Sequence, residues 1–165
     1  MKRMNYMKLT CFVLLIPLSL IISCASGINN STQSIAVWDL DNLSPEGASP
    51  SDLGELLSVE VIKTIQESGR YSVIERERLS MALEELNLGS TALVDENTRL
   101  KLGQLSSAQL MVFGGYQVIG DTMRLDLRLV DVETGRIRKA VKKITAAENI
   151  SGWLDSAKSA AEELL

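Results

Sequence analysis

The sequence contains no histidine at any of its 165 positions. Ser-His-Asp and Cys-His nucleophilic catalysis and the usual imidazole-bearing zinc sites are thereby excluded. Cysteine is nearly as scarce, with only Cys11 and Cys24, so there is no paired CxxC motif and no disulfide framework. A phosphate loop of the G-x-x-x-x-G-K type and a dinucleotide fingerprint are both missing. Carboxylates remain as acid-base or divalent-metal groups, but none stands in a diagnostic spacing. No catalytic residue, no cofactor and no metal site is expected from the residue types present.

What the sequence does contain begins with a targeting segment. Lys2, Arg3 and Lys8 precede an acid-free apolar run over 9–22, a positive region followed by a hydrophobic one. The run falls short of the ~20 apolar residues that a membrane-spanning helix needs, and Pro17 interrupts it. It ends in Ile21-Ile22-Ser23-Cys24, which resembles the lipobox of bacterial lipoproteins. The resemblance implies cleavage between Ser23 and Cys24 and acylation of Cys24, so that 1–23 is a lipoprotein signal peptide. Cys11 is then discarded and Cys24 is left as the lone cysteine of the mature chain. Several acyl chains on one residue give stable anchoring, each buried methylene contributing about 0.8 kcal/mol. Ala25 and Ser26 follow the cysteine with no aspartate to resemble an inner-membrane retention signal, which implies the periplasmic face of the outer membrane.

Loss of the segment removes Lys2, Arg3 and Lys8 and leaves 14 basic residues against 21 acidic ones. So acidic a domain is a poor match for nucleic acid, whose phosphates call for a concentrated positive field. Residues 24–33 are rich in Ser, Asn, Gly and Thr and read as a flexible tether. Residues 34–165 suffice for one domain with a proper core and are too few for two.

Within that domain, 35–40 is a nearly continuous apolar run, the mark of a strand covered on both faces, followed by a loop over 41–49. Ser49-Pro50-Ser51-Asp52 predicts a helix start with a serine cap and proline at the first helical position. Leu53, Leu57, Val61 and Ile65 then recur at steps of four, and Gly69 closes the helix. A second strand over 71–74 would run parallel to the first through this crossover. A helix over 75–86 carries Leu79, Ala82, Leu83 and Leu86 on one face, and Asn87-Leu88-Gly89 ends it. Asp95 predicts the cap of a short helix reaching about Leu105. A strand over 109–119, a tight turn at Gly120-Asp121, the period-two strand Met123, Leu125, Leu127 and Leu129, a turn at 132–135 and a strand over 136–144 form a meander. The last strand carries Arg138, Lys139, Lys142 and Lys143, a pattern that blunts an exposed sheet edge. A final helix aligns Ile150, Trp153, Leu154, Ala157, Ala161 and Leu164. The fold class is α/β (α+β): a single domain with a mixed sheet in the order β-α-β-α-α-β-β-β-α and helices packed on it.

Four features are weighed for function. Asp39 sits near the carboxyl end of a predicted parallel strand, where open α/β sheets place ligands, although aspartate there more often caps the following loop. Gly114-Gly115 allows either a ligand to approach the backbone or close packing against a helix, and packing is preferred. Glu75-Arg76-Glu77-Arg78 reads as a solvated helix start before it reads as a recognition face. The Lys/Arg strand could meet anionic lipid or glycan, but edge protection already accounts for it.

Ala36-Val37-Trp38-Asp39-Leu40, Leu53-Gly54-Glu55-Leu56-Leu57, Val73-Ile74-Glu75-Arg76-Glu77-Arg78-Leu79, Ala108-Gln109-Leu110-Met111-Val112-Phe113-Gly114 and Leu129-Val130-Asp131-Val132-Glu133-Thr134-Gly135 resemble the successive blocks of the curli secretion channel family, CsgG. Related periplasmic folds, the LpoB-like activators of penicillin-binding proteins and the amino-terminal domain of TolB, look alike at this level. The resemblance implies a non-enzymatic, membrane-tethered lipoprotein serving assembly, secretion or regulation of an envelope machine, with protein partners in the envelope and self-association in a ring. Its alternatives are an oligomeric component of a curli-type channel and an LpoB-like activator of a peptidoglycan synthase. A third reading, from the enzyme class, would have carboxylates such as Asp39 assist metal-dependent hydrolysis. A barrel subunit needs pairs of spanning strands of about 9–11 residues. Gly120-Asp121, the turn at 132–135 and the stretch over 88–94 have no room for them.

Overall fold

The computed structural model describes residues 32–85, 95–146 and 149–165. The unit Thr32–Leu165 is compact in itself. Ser23, Cys24, Leu86, Asn87-Leu88-Gly89 and the 88–94 stretch lie outside the described residues, as does the expected tether up to Ser31.

Strand β1 (Gln33–Val37) lies between two parallel neighbours, β3 (Tyr71–Val73) on one side and β4 (Leu110–Ile119) on the other. Strand β5 (Thr122–Asp131) and strand β6 (Ile137–Ala146) continue the sheet antiparallel, giving the order β3-β1-β4-β5-β6. The mixed sheet and its single-domain α/β class agree with the sequence pattern. A two-residue strand, β2 (Asp41–Asn42), also pairs with β4 in parallel.

Helix α1 (Leu53–Glu67) and helix α4 (Ile150–Leu164) cover one face of the sheet, and helix α2 (Arg76–Glu85) and helix α3 (Glu96–Leu105) cover part of the other. The unbroken apolar run of β1 now has its explanation. Ile35 and Val37 pack with Leu53, Leu57, Val61 and Ile65 of α1, while Ala36 and Trp38 pack with Leu79, Leu83 and Leu102 of α2 and α3. Burying each such aliphatic side chain contributes roughly 1.5–3 kcal/mol. Ala157, Ala160 and Ala161 are fully buried in the same layer as α1, and small side chains there let the two helices approach closely.

Three expected boundaries move. The first strand begins at Gln33 and ends at Val37, earlier than the apolar run, because Trp38 and Leu40 owe their burial to packing beside the strand rather than to continued pairing. Helix α1 begins at Leu53 after Asp52, not at Pro50. Ser49 does not cap it, because its hydroxyl accepts a hydrogen bond from Asn42 Nδ2 at 3.2 Å, and Pro50 instead closes a turn in which Leu53 N–H donates to its carbonyl at 3.2 Å. Strand β2 lies inside the expected loop, since a two-residue ladder has no period to read. Asp95 does cap α3: its carboxylate accepts from Thr98 N–H at 2.7 Å, and that bond holds its pKa below the usual value.

Candidate functional site

The segment leaving β1 carries two carboxylates at the carboxyl end of the parallel strands. Asp39 accepts two hydrogen bonds from Arg76 Nη2, at 2.8 and 2.9 Å, and Arg76 Nη1 also stands 3.5 Å from Glu55 on α1. Asp41 accepts from both terminal nitrogens of Arg99, at 2.9 and 3.0 Å. The Arg99 guanidinium lies 5.4 Å from the centre of the Trp38 ring, a cation–π distance. Each arginine comes from a different helix, so the post-β1 segment is tied to α2 through Asp39 and to α3 through Asp41. A small cleft of about 50 Å³ remains beside Asp39, lined by Val37, Trp38, Arg76, Leu79, Ser80 and Leu83.

Asp39 is therefore paired with Arg76 rather than capping the loop that follows it. The strand end points it toward α2, and an arginine from the Glu75-Arg76-Glu77-Arg78 cluster neutralises it. Arg76 is thus more than a solvated helix-start residue. The sequence offers a sign of this, an acid after β1 and an arginine opening α2, but not that the two ends meet. Among the described residues no three His, Cys, Asp or Glu side chains gather in a way that could hold a metal ion.

Gly114 and Gly115 are packing residues, as preferred, but their neighbours are not a helix. A side chain on Gly114 would run into the Asp126 carbonyl and into Leu127 and Leu40, and one on Gly115 would come within 3.0 Å of the Asp41 carbonyl and 3.1 Å of Leu43. Both glycines let the β1–β2 link lie against β4. On the other side of that link, buried Ser58 of α1 accepts from Leu40 N–H at 3.0 Å and donates to the Gly54 carbonyl at 2.7 Å.

The Lys/Arg strand is the outer edge of the sheet, since β6 pairs with β5 alone. Arg138 donates to Asp131 and Lys143 to Glu163 of α4. Thr134 N–H, then Arg138 and the Thr134 hydroxyl, hold the Asp131 carboxyl down at a pKa of about 2. The Lys143 ammonium lowers that of Glu163. Arg136, Lys139 and Lys142 are exposed and form no salt bridge within the described residues. Among the described residues, helices cover the face of β4–β6 opposite α4 only near Met111, Phe113 and Val130. Beyond them Ile119 and Ile144 are exposed, with the Arg124–Asp126 ion pair between the strand ends. Gly120 and Asp121 alone join β4 to β5, and no helix among the described residues is long and apolar enough to cross a membrane.

The family model of the curli production assembly/transport component CsgG matches residues 18–119. No curated protein matches the chain. Among solved structures, the LpoB C-terminal domain from Salmonella enterica is 18% identical with a TM-score of 0.60, over 69% of this chain and 82% of that one. The lipoprotein GNA1162 from Neisseria meningitidis is 18% identical with a TM-score of 0.61, over 79% and 94%. A PelC dodecamer subunit from Paraburkholderia phytofirmans is 15% identical with a TM-score of 0.51, over 82% and 86%. At these identities the likeness is one of fold.

Proposed function

This chain belongs to the curli production assembly/transport component CsgG family, and from that premise we propose that it is a non-enzymatic lipoprotein held by acyl chains on Cys24 at the periplasmic face of the outer membrane. Its domain serves as a protein-interaction module in the assembly, secretion or regulation of an envelope machine. The observation that carries the non-enzymatic part is the fate of the carboxylates at the strand ends. Asp39 and Asp41 are each engaged by an arginine, so their charge is taken up in joining helices to the sheet. The lipoprotein part rests on the sequence at Ile21-Ile22-Ser23-Cys24 and agrees with the fold likeness to a lipoprotein and to LpoB.

Crosslinking of the full chain in cells, followed by identification of what it captures, tests the role. Secretion components support a place in transport, and a peptidoglycan synthase supports the LpoB-like activator reading. Recovery of neither, with the chain free in the soluble fraction, would overturn the proposal. The ring reading draws on the fold likeness to a dodecamer subunit. The mass of the detergent-extracted acylated protein tests it, and ion conductance of such a ring would establish a channel component.

A further inference from the structure

We propose that the outer rim of β6 is a membrane-facing surface that docks on anionic phospholipid headgroups, with Lys142 and Arg136 as its basic contacts and Ile137 and Ile144 as its apolar ones. The inference rests on the anchoring of Cys24 and deepens it, because it states which side of the domain the anchor turns toward the bilayer.

The first observation is where the chain enters the domain. Gln33 opens β1, and its side-chain oxygen accepts from Arg138 of β6 at 3.4 Å. β4 and β5 lie between β1 and β6 in the sheet, so this side-chain bond spans their ends and brings Arg138, near the start of β6, to the point where the chain enters the domain. Gln33 is nine residue steps from Cys24, and a fully extended chain of that length reaches at most about 30 Å. A strand of ten residues such as β6 is of about that same length. The whole of β6 is thus within reach of the headgroup layer.

The second observation is charge. Between Arg136 and Ala146 there are five basic residues and no acid, in a mature chain with a clear acidic excess. Arg138 and Lys143 are internally paired, whereas Arg136, Lys139 and Lys142 have no salt bridge within the described residues. Lys142 stands opposite Asp126, but that carboxylate is taken by Arg124. Edge protection alone calls for a charge or two. It does not account for the exposed isoleucines on the same strand, Ile137 at 53% and Ile144 at 64% exposure. Both lie with Lys142 on the sheet face away from α4, by register with Val130, Arg124 and Asp126. Apolar side chains interleaved with unpaired lysine and arginine match the boundary between headgroups and acyl chains. A second copy of β6 laid along the first would bring five basic residues against five, with no acid between them.

The test uses the full chain made in a lipidating host, bound to vesicles of pure phosphatidylcholine or of phosphatidylcholine with phosphatidylglycerol, and acetylated by a water-soluble reagent. Labelling of Lys142 should fall about fivefold on the phosphatidylglycerol vesicles, the factor expected of one basic residue at an anionic surface. Lys63 on α1 and Lys158 on α4, both on the opposite layer, should not change, and high salt should reverse the effect. Ile137→Asp with Ile144→Asp, both at exposed positions, should abolish the protection while the acyl mass persists. Equal labelling on both vesicles would overturn the proposal, as would protection that grows with protein concentration on phosphatidylcholine, the sign of a second copy on the edge. Absence of acyl mass at Cys24 together with failure to sediment with phosphatidylcholine vesicles would instead sink the anchor on which the inference stands, and is read separately from the footprint.

Discussion

Asp39 and Arg76 meet through a single guanidinium nitrogen: Arg76 Nη2 donates to both oxygens of the Asp39 carboxylate, and the pair closes the gap between the end of β1 and the start of α2. Both side chains are more than a third exposed, at 39% and 38%, so solvent screens the pair. Its coupling in a double-mutant cycle with Asp39→Asn and Arg76→Gln should be no more than about 1 kcal/mol. Denaturant midpoints of the four proteins measure it. If Asp39 instead served metal-assisted hydrolysis, Asp39→Asn would remove cellular function while leaving that midpoint in place.

Arg99 should matter more. Its side chain is only 13% exposed, it holds Asp41 through two nitrogens, and it lies over Trp38. Arg99→Ala is expected to cost about 2–3 kcal/mol, the upper range for hydrogen bonds to charged groups. Arg99→Lys keeps the charge but loses the planar fork and should recover less than half of that loss. Urea unfolding followed by tryptophan fluorescence reports both, since Trp38 changes environment as α3 leaves.

Ser58 is the hinge pin between α1 and the β1–β2 link. Ser58→Ala leaves the Leu40 N–H unpaired in a buried place and should destabilise by roughly 1–3 kcal/mol. Gly54→Ala acts on the same contact by size, because an added carbon would stand 2.9 Å from the Leu40 carbonyl and 3.2 Å from the Tyr116 ring. Loss of about 1–3 kcal/mol is expected there too, and amide exchange should rise first in 38–42, where the link is held.

Asp131 sets an acid limit. Its carboxyl is held from 3.8 down to about 2 in the folded chain, chiefly by the Thr134 N–H and then by Arg138 and the Thr134 hydroxyl. A depressed carboxylate stabilises the fold above its unfolded value and ceases to do so as pH falls toward the folded one. The contribution is present in full above about pH 5 and is lost as the pH falls from 3.8 toward 2. Asp131→Asn should flatten the stability profile in that window and leave it unchanged in slope near neutrality. Thermal melts between pH 2 and 7 would show a wild-type slope indistinguishable from the variant's if the turn carried no such linkage.

Much of the architecture was legible because it rests on period. The steps of four in α1 gave Leu53, Leu57, Val61 and Ile65, all fully buried. The alternation of β5 gave Met123, Leu125, Leu127 and Leu129 against α1 and α4, and failed only at Val130, which turns its face under α2 and α3. Short features escaped for the converse reason. Strand β2 exists because Gly115 offers a bare backbone to Asp41, and Ser49 is drawn from its helix by Asn42. In the candidate site, Asp39 was singled out by position, but Arg76, Asp41 and Arg99 were not tied to it. Ion pairs across 37 or 58 residues of chain leave no local pattern.

The sequence by itself determined the absence of histidine chemistry, the order of elements and which face of each long element is apolar, because these depend on residue type and on spacing within one element. Tertiary structure alone decided what the polar residues do. It turned Asp39 and Asp41 from open carboxylates into anchors for two helices, made the glycine pair a seat for the β1–β2 link, and brought Gln33 beside Arg138. That last meeting joins residues 105 positions apart, and it is made by two long side chains reaching across the ends of β4 and β5, which lie between β1 and β6 in the sheet.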